Sequence, residues 1–453
     1  MTRNGAAPAP RPSRTRLPSW AGRNFRLLVA ASFVTNLGSS GALIAAAYAV
    51  IGTGGDATDV GLVAASRTLA MVIFLLVGGA VADRLPRQRV MVAANAANAL
   101  SQAVFALLVL TGRPELWQMA LLTATGGAAH AFFSPASEGM VLSTVETAHA
   151  GQAFSVFRLS MNGATIGGAA LGGALIAAVG PGWVLAIDAT GFALAAGLRS
   201  RLTVAAVRRP QEPGGGILRD LREGWREFTS RSWLWGIVVQ FAVVNGMVGA
   251  CESVYGPLVA REHLGGAGPW GLALAAGGVG TVGGALLMMR WKPRRILLVG
   301  TLGVFPLALP GAALALAVPL WLLAVVMFAA GVAIEVFAVG WMLALHQEIP
   351  EDKMSRVSAY DWFGSVAMMP LAMALAGPAA NTFGRTHALW GASALVVLLT
   401  GAVLLLPDVR HLERTRHRRA ETAGGGASGG ATGLEPTAKA PVGGLGEGAA
   451  EAS

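Results

Sequence analysis

Apolar residues along this chain fall into roughly twelve runs of about 20 residues, each long enough to cross a bilayer as a helix. The runs occupy 26–51, 58–82, 90–111, 116–137, 152–178 and 183–202, then 233–257, 270–289, 296–316, 320–345, 356–380 and 387–406. Glycine and proline interrupt many of them, as membrane helices allow when neighbouring helices satisfy the freed backbone groups. The pattern predicts an all-α membrane protein, with twelve transmembrane helices in two six-helix bundles. Its expected divisions are an N-terminal arm at 1–25, a first bundle at 26–202, a linker at 203–232, a second bundle at 233–406 and a tail at 407–453.

The polar segments sharpen this division. Arg208-Arg209-Pro210 and Pro213-Gly214-Gly215-Gly216 open the linker, after which Ile217, Leu218, Leu221, Trp225 and Phe228 share one helical face. A helix lying on the inner leaflet and a helix packed on the bundle both suit that amphipathic run. The arm is rich in Pro and Arg and lacks the apolar core of a cleavable signal peptide, so the first span is expected to act as the insertion signal. The Gly/Ala-rich tail is expected to be disordered and cytoplasmic.

Composition agrees with the pattern: 54% of residues are hydrophobic and 13% charged, and the mean hydropathy is +0.58. A soluble domain carries about 25% charged residues. The net charge of +10 would suggest nucleic acid in a soluble protein, but here it sits in alternate gaps between apolar runs. Arginines crowd the arm, the turn at 84–89, the central linker, the turn at 290–295 and the start of the tail. The intervening gaps hold Arg113, Arg261 and Arg385. The positive-inside rule then puts both termini in the cytoplasm of a multi-pass protein of the cell membrane. The single cysteine, Cys251, leaves no internal disulfide framework and no CxxC metal site.

One turn carries a recognisable pattern. Gly79, Asp83, Arg84 and Arg87 follow the order G-x-x-x-D-R-x-G-R-R/K, with Pro86 in place of the second glycine and Arg89 one position late. A fainter copy, Gly284 to Arg295, follows the second span of the other half, with Arg290 where the first has Asp83. With the six-plus-six topology, the chain resembles the major facilitator superfamily over nearly all of 26–406. Phe133-Ser134-Pro135-Ala136, Ala359 through Ser365, Pro370-Leu371 and Ala376-Gly377-Pro378 make it most similar to the exporter branch that holds enterobactin exporters and macrolide efflux proteins. That resemblance implies a conformational gate: Asp83 facing the start of span eleven near Ser355-Arg356, with Arg84 and Arg87 pairing with carboxylates or lipid phosphates. In span five, Gly163, Gly167, Gly168, Gly172 and Gly173 are expected to let helix backbones approach closely.

Charged and polar groups inside the spans are the candidate site. Ionisable residues in a membrane span are expensive and face a partner or a cavity. Glu335 is deepest in its span, and a carboxylate in low dielectric favours its neutral form and can carry a proton. It is the first candidate for proton coupling and Glu252 the second, with Asp361 and Asp188 also able to serve as structural ion-pair partners. Arg67 would neutralise an acid or bind an anionic substrate. Asn95, Asn98 and Gln102 share one helical face. The resemblance implies that spans one, four, seven and ten line the central cavity. It makes Asn36, His130, Asn245 and Glu335 substrate-side candidates, with Phe337, Trp341 and Trp362 as a possible apolar wall.

The resemblance implies a secondary active transporter working by alternating access. The expected activity is proton-coupled export, by antiport, of a drug-like or siderophore-like small molecule. A proton-coupled importer of a small nutrient, or a membrane sensor or assembly protein without transport, fits the same features. The chain lacks G-x-x-x-x-G-K-S/T, H-E-x-x-H and G-x-S-x-G, so no enzyme activity, metal or cofactor is expected and the proton gradient is the expected energy source. The expected partners are a small-molecule substrate and the lipid bilayer, without nucleic acid, and the expected state is a monomer.

Overall fold

The computed structural model of the chain describes residues 20–112, 114–203 and 217–412; side chains at 76–84, 135, 138, 139, 142, 147, 217–221, 351, 352 and 355 also lie outside the description. Among the described residues, eleven helices are long and apolar enough to cross a membrane. In chain order spans 1 to 3 are Arg23–Gly52, Ala57–Arg84 and Arg87–Leu110, and spans 5 and 6 are Ala150–Val179 and Pro181–Ser200. Span 7 is Ser232–Leu264, span 8 Ala267–Arg290, span 9 Ile296–Ala315, span 10 Leu320–Glu348, span 11 Arg356–Phe383 and span 12 Arg385–Leu404. Leu116–Ser143 is span 4 and completes the twelve. Even the 20-residue span 6 rises about 30 Å, enough for the hydrocarbon core.

Local sequence sets the ends. Asp56 begins span 2: its carboxylate accepts the N–H groups of Thr58 (2.7 Å) and Asp59 (3.1 Å), while Asp59 accepts the N–H of Asp56 at 3.2 Å. This reciprocal cap satisfies N–H groups that the first turn leaves without partners. Partial burial of the Asp56 carboxyl acts to raise its pKa, but these hydrogen bonds outweigh it and hold the group below its ordinary value. Glu115 and Gln118 make the same reciprocal cap on span 4. Gly180 (φ 89°) and Gly384 (φ 83°) make the tight reversals into spans 6 and 12, a backbone region that residues with a Cβ rarely enter.

The packing repeats. In the first bundle span 1 packs on spans 5 and 6, span 2 on span 4, and span 3 on spans 4 and 6. Six spans later the same scheme returns: span 7 on 11 and 12, span 8 on 10, and span 9 on 10 and 12. The bundles join through span 5 on span 8 and span 2 on span 11, pairs that exchange under the same shift. This internal parallel repeat underlies the faint likeness between the turns at 84–89 and 290–295.

The close backbone approaches that glycines make between spans 2 and 11 and between spans 5 and 8 lie in the half away from the arginine-rich turns. A Cβ on Gly61 would come within 2.4 Å of the Met373 carbonyl oxygen, and one on Gly377 within 2.2 Å of Thr58 Cα. Between spans 5 and 8, a Cβ on Gly173 would meet the Ala267 carbonyl oxygen at 2.5 Å, and one on Gly271 the Ala169 carbonyl oxygen at 2.3 Å. Tyr48 donates to the Pro257 carbonyl (3.2 Å) and Arg261 to that of Ile51 (2.9 Å), closing the same half. Lipid offers no hydrophobic drive between helices, so such backbone contact is a main source of their adhesion.

The linker helix, Ile217–Thr229, packs on the start of span 11 rather than standing apart from the bundle. Glu227 accepts from Lys353 at 2.8 Å and pairs with Arg231 at 2.9 Å, and Glu223 accepts from Arg356 at 2.6 Å. The rings of Trp225 and Phe228 meet Tyr360 at 5.6 and 6.0 Å. The hydrogen bond from Lys353 holds the Glu227 carboxyl below its ordinary value, outweighing slight burial, with the charges of Arg231, Lys353 and Arg226 helping.

Candidate substrate cavity and its carboxylates

Two cavities flank span 1 where the bundles meet. The first, about 420 Å³, is walled by spans 1, 5, 7, 8, 9 and 10. The second, about 260 Å³, is walled by spans 1, 2, 3, 4, 7 and 11. Shifting the first list by six spans gives the second, so the cavities are mates under the repeat. Leu43, Ala47 and Ser253 line both and form the partition between them.

Glu252 is in the wall of the larger cavity, with Ser40, Thr165, Asn245, Ser253 and Thr281 as its polar companions. It makes no hydrogen bond and no ion pair with any described residue. Its position follows from an irregular turn. Residues Cys251–Tyr255 form a π-helix in which the Gly256 N–H bonds the Cys251 carbonyl, five residues back. Pro257 has no N–H to give the Ser253 carbonyl, and its ring would press on that carbonyl in an α-helix; widening the turn relieves both. Gly256 leaves room for Trp270, whose ring a Cβ would meet at 2.2 Å.

The smaller cavity carries the opposite sign. Arg67 and Gln102 line it. The charge of Arg67 acts on Asp188, which is fully buried behind it, accepts from Gln102 at 2.8 Å and is approached by Ser39 at 3.5 Å. Gly126 and Gly127 of span 4 make room for Arg67: Cβ atoms there would meet its Nη1 at 3.4 Å and its carbonyl oxygen at 1.9 Å. Asp188 thus has a set of partners, where Glu252 has none.

The other predicted residues fall in different places. Glu335 packs on Gly284 of span 8, feels the charge of Arg158 across the gap between the bundles, and lines neither cavity; its neighbour Ile334 lines the larger one. Asp361 accepts the Trp341 indole N–H at 3.0 Å. Phe337 stacks on Phe241 with centroids 4.1 Å apart and on Trp341 at 6.0 Å, an aromatic column inside the second bundle rather than a cavity wall. Trp362 is exposed. Asn245 lines the larger cavity and donates to the Ser365 carbonyl at 3.0 Å. Asn36 donates to the Ser32 carbonyl and the Met161 sulfur, and His130 is exposed on span 4; neither lines a cavity. Within span 5, Gly168, Gly172 and Gly173 lie against the backbones of Leu37, Gly41 and Ala267, and Gly167 against a leucine methyl. Gly163 does no such work: a Cβ there would meet nothing within 4 Å. Gly79 and the side chains of Asp83 and Arg84, in the expected gate, fall in the stretch 76–84 that the description leaves out, and Arg87 begins span 3.

Arg199 is a residue the sequence reading missed. It is fully buried at the end of span 6, donates to Ser32 at 2.8 Å and lies 4.6 Å over the Phe133 ring. Its Nε and Nη1 have no hydrogen-bond partner among the described residues. Its long stem turns inward onto the bundle, so a basic residue at the end of a span need not belong to the loop. For Glu252, the available signal was Gly256-Pro257 in the turn that follows it.

Two equivalent helix bundles, with cavities of opposite charge at their joint and one half sealed by backbone contact, define a membrane transporter. The chain belongs to the major facilitator superfamily: the family model described as Major Facilitator Superfamily matches residues 28–369. It is 28% identical over 408 residues to the multidrug efflux pump Tap of Mycolicibacterium fortuitum, covering 85% of this chain and 96% of that protein. It is 27% identical over 317 residues to the enterobactin exporter EntS of Citrobacter koseri, covering 66% of this chain and 71% of that protein. Among solved structures, the nucleoside transporter NupG superposes with a TM-score of 0.68 at 14% identity, covering 84% of this chain and 98% of that one. A bacterial homologue of the lysosomal transporter Spinster, inward-facing and unoccupied, superposes at 0.66 with 14% identity, covering 86% of this chain and 98% of that one.

Proposed function

We propose that the chain is a secondary active exporter of the cell membrane, a proton antiporter that moves a drug-like or siderophore-like small molecule out of the cytoplasm by alternating access. The observation that carries this reading is Glu252, a carboxylate without a partner in the wall of the cavity between the bundles. A charge at that depth is expensive unless something neutralises it, and a proton or a positive group on the substrate would. Glu252 therefore takes the coupling role ahead of Glu335, whose carboxyl lies off the cavity, and of Asp188 and Asp361, whose carboxyls are already engaged. The positive-inside rule assigns the arginine-rich end, with both termini, to the cytoplasm. The sealed half then faces outward, and the cavities load from inside. Likeness to an efflux pump and to an enterobactin exporter supports the outward direction. The working unit is a monomer that needs no cofactor, the proton gradient supplying the energy.

Inverted membrane vesicles with an acidic lumen test the reading. A transported compound accumulates inside them and leaks out when a protonophore is added. Glu252→Gln is expected to cut that proton-driven accumulation at least about tenfold, the effect of losing roughly 1.4 kcal/mol or more of coupling. Undiminished accumulation by this variant removes Glu252 from the coupling role, and exit of compound in place of accumulation identifies an importer.

A further inference from the structure

The linker helix, Ile217–Thr229, has two faces, and span 11 occupies one of them. On that face Glu223 and Glu227 hold Arg356 and Lys353, the Phe228 ring is buried against Tyr360, and a Cβ on Gly224 would come within 3.0 Å of the same tyrosine ring. At about 100° per residue, Arg222, Trp225, Arg226 and Thr229 fall together on the other side. All four are exposed. The ion pairs of this segment among the described residues join Glu223 to Arg356 and Glu227 to Lys353 and Arg231. Both guanidinium groups of the outer face are thus left without an acid among those residues, although the charge of Arg226 is felt by Glu227. Trp225 stacks on Phe228 and meets the edge of Tyr360, yet 54% of it stays exposed.

The depth of this face follows from its neighbours. Span 11 begins at Arg356, so Tyr360 lies about 6 Å along its axis, and Trp362, two residues on, is exposed. Trp235 in the first turn of span 7 and Trp291 at the close of span 8 are exposed at the same end of the bundle. Exposed indoles at one end of several spans mark the boundary between hydrocarbon and headgroups. The contact with Tyr360 sets Trp225 at that level. We propose that the linker helix docks on anionic phospholipid of the inner leaflet, Trp225 entering the headgroup region and Arg222 and Arg226 meeting the phosphates. The positive-inside rule assigns this end to the cytoplasm, where the leaflet is negative, and an arginine near such a surface strengthens binding about fivefold. An amphipathic ring bordered by guanidinium groups suits a boundary that is apolar on one side and charged on the other. Because the other face is clamped to span 11, the docked helix ties the end of that span to the leaflet.

A nitroxide on Thr229→Cys, in the full-length protein with Cys251→Ala, tests the proposal. The protein is placed in nanodiscs of phosphatidylcholine alone or of an equal mixture with phosphatidylglycerol. Phosphatidylglycerol is expected to lower the label's collision rate with a neutral, water-soluble nickel chelate at least about threefold. Salt at about 1 M, which screens charges beyond about 3 Å, is expected to restore it. Arg222→Gln/Arg226→Gln, checked for the same elution volume and melting temperature, is expected to give the phosphatidylcholine value in both discs, while Arg222→Lys/Arg226→Lys keeps most of the response. Equal collision rates in the two discs for the parent leave the face in the cytosol and overturn the proposal. An undiminished response in the glutamine pair, or its complete loss in the lysine pair, overturns it as well.

Discussion

The two cavities are built from equivalent spans and carry opposite chemistry. In the smaller, the arginine has its counter-charge: Arg67 acts on Asp188, and Asp188 is held by Gln102 and Ser39. In the larger, Glu252 lines the cavity without a partner among the described residues. A shared backbone scheme therefore does not dictate a shared role. A buried charge with partners stabilises one arrangement of helices, whereas one without partners is available to something that comes and goes.

The largest expected effect comes from the seals beside each cavity. Gly377→Leu, at the junction of spans 2 and 11, would drive its side chain into the Thr58 backbone, and Gly173→Leu would do the same to span 8. Overpacking of this kind costs about 3 kcal/mol, enough to empty the sealed conformation. A Thr58→Cys/Asn381→Cys pair, placed where the Asn381 amide and Thr58 hydroxyl lie 3.3 Å apart, reports on it. Cross-linking is expected to be high in the parent and nearly lost with either leucine; loss with only one would break the equivalence of the two junctions.

A smaller effect sharpens the contrast between the acids. Asp188→Ala removes the partner of Gln102 and the charge facing Arg67, at about 1–3 kcal/mol. Glu252→Gln removes a half-buried carboxylate and no hydrogen bond to a described residue, so the melting temperature of the purified protein should hold or rise. If Glu252→Gln destabilised the fold as much as Asp188→Ala, the distinction between structural and available carboxylates would fall.

The smallest effect lies outside both cavities, at the linker helix. Glu227 has its carboxyl pKa depressed in the folded protein by Lys353. A depressed carboxylate contributes stability that is present above its unfolded value and is lost as pH falls through the folded one. Docking of the helix on span 11 should therefore weaken on acidification below about 4.5, the ordinary value of the group. A spin label at Arg222 is expected to gain mobility in that range, and Glu227→Gln is expected to flatten the response.

Much of this architecture was legible in the chain. The runs at 26–51 and 320–345 became Arg23–Gly52 and Leu320–Glu348, because a span must be apolar over a fixed length whatever its neighbours. Direction around the helix axis was not legible. Spans such as Leu320–Glu348 are apolar all round, so nothing in their periodicity says which side of Glu335 meets the cavity. Depth in the span pointed to Glu335, but packing decides which face is wet, and it favours Glu252. Span 7 also runs on to Leu264, past the expected end at 257, since its two π turns carry the helix through Pro257. The break in span 9 at Phe305–Ala308 had a visible cause in Pro306 and Pro310, but its 3-10 form did not.

Those π turns have a mechanical implication. Each lodges one more residue in a single turn than an α-helix would, so it acts like an inserted amino acid absorbed without a loop. At 3.6 residues per turn, relaxing Cys251–Tyr255 to α with every residue kept would swing everything beyond it by about 100°, whereas excising one residue would leave the phase nearly unchanged. On relaxation with every residue kept, Arg261 would leave the Ile51 carbonyl and Tyr48 would lose Pro257. A carboxylate in the cavity wall and a latch on the distant rim are thereby geared to one short stretch of backbone, and any tightening or loosening of that stretch would be felt at both.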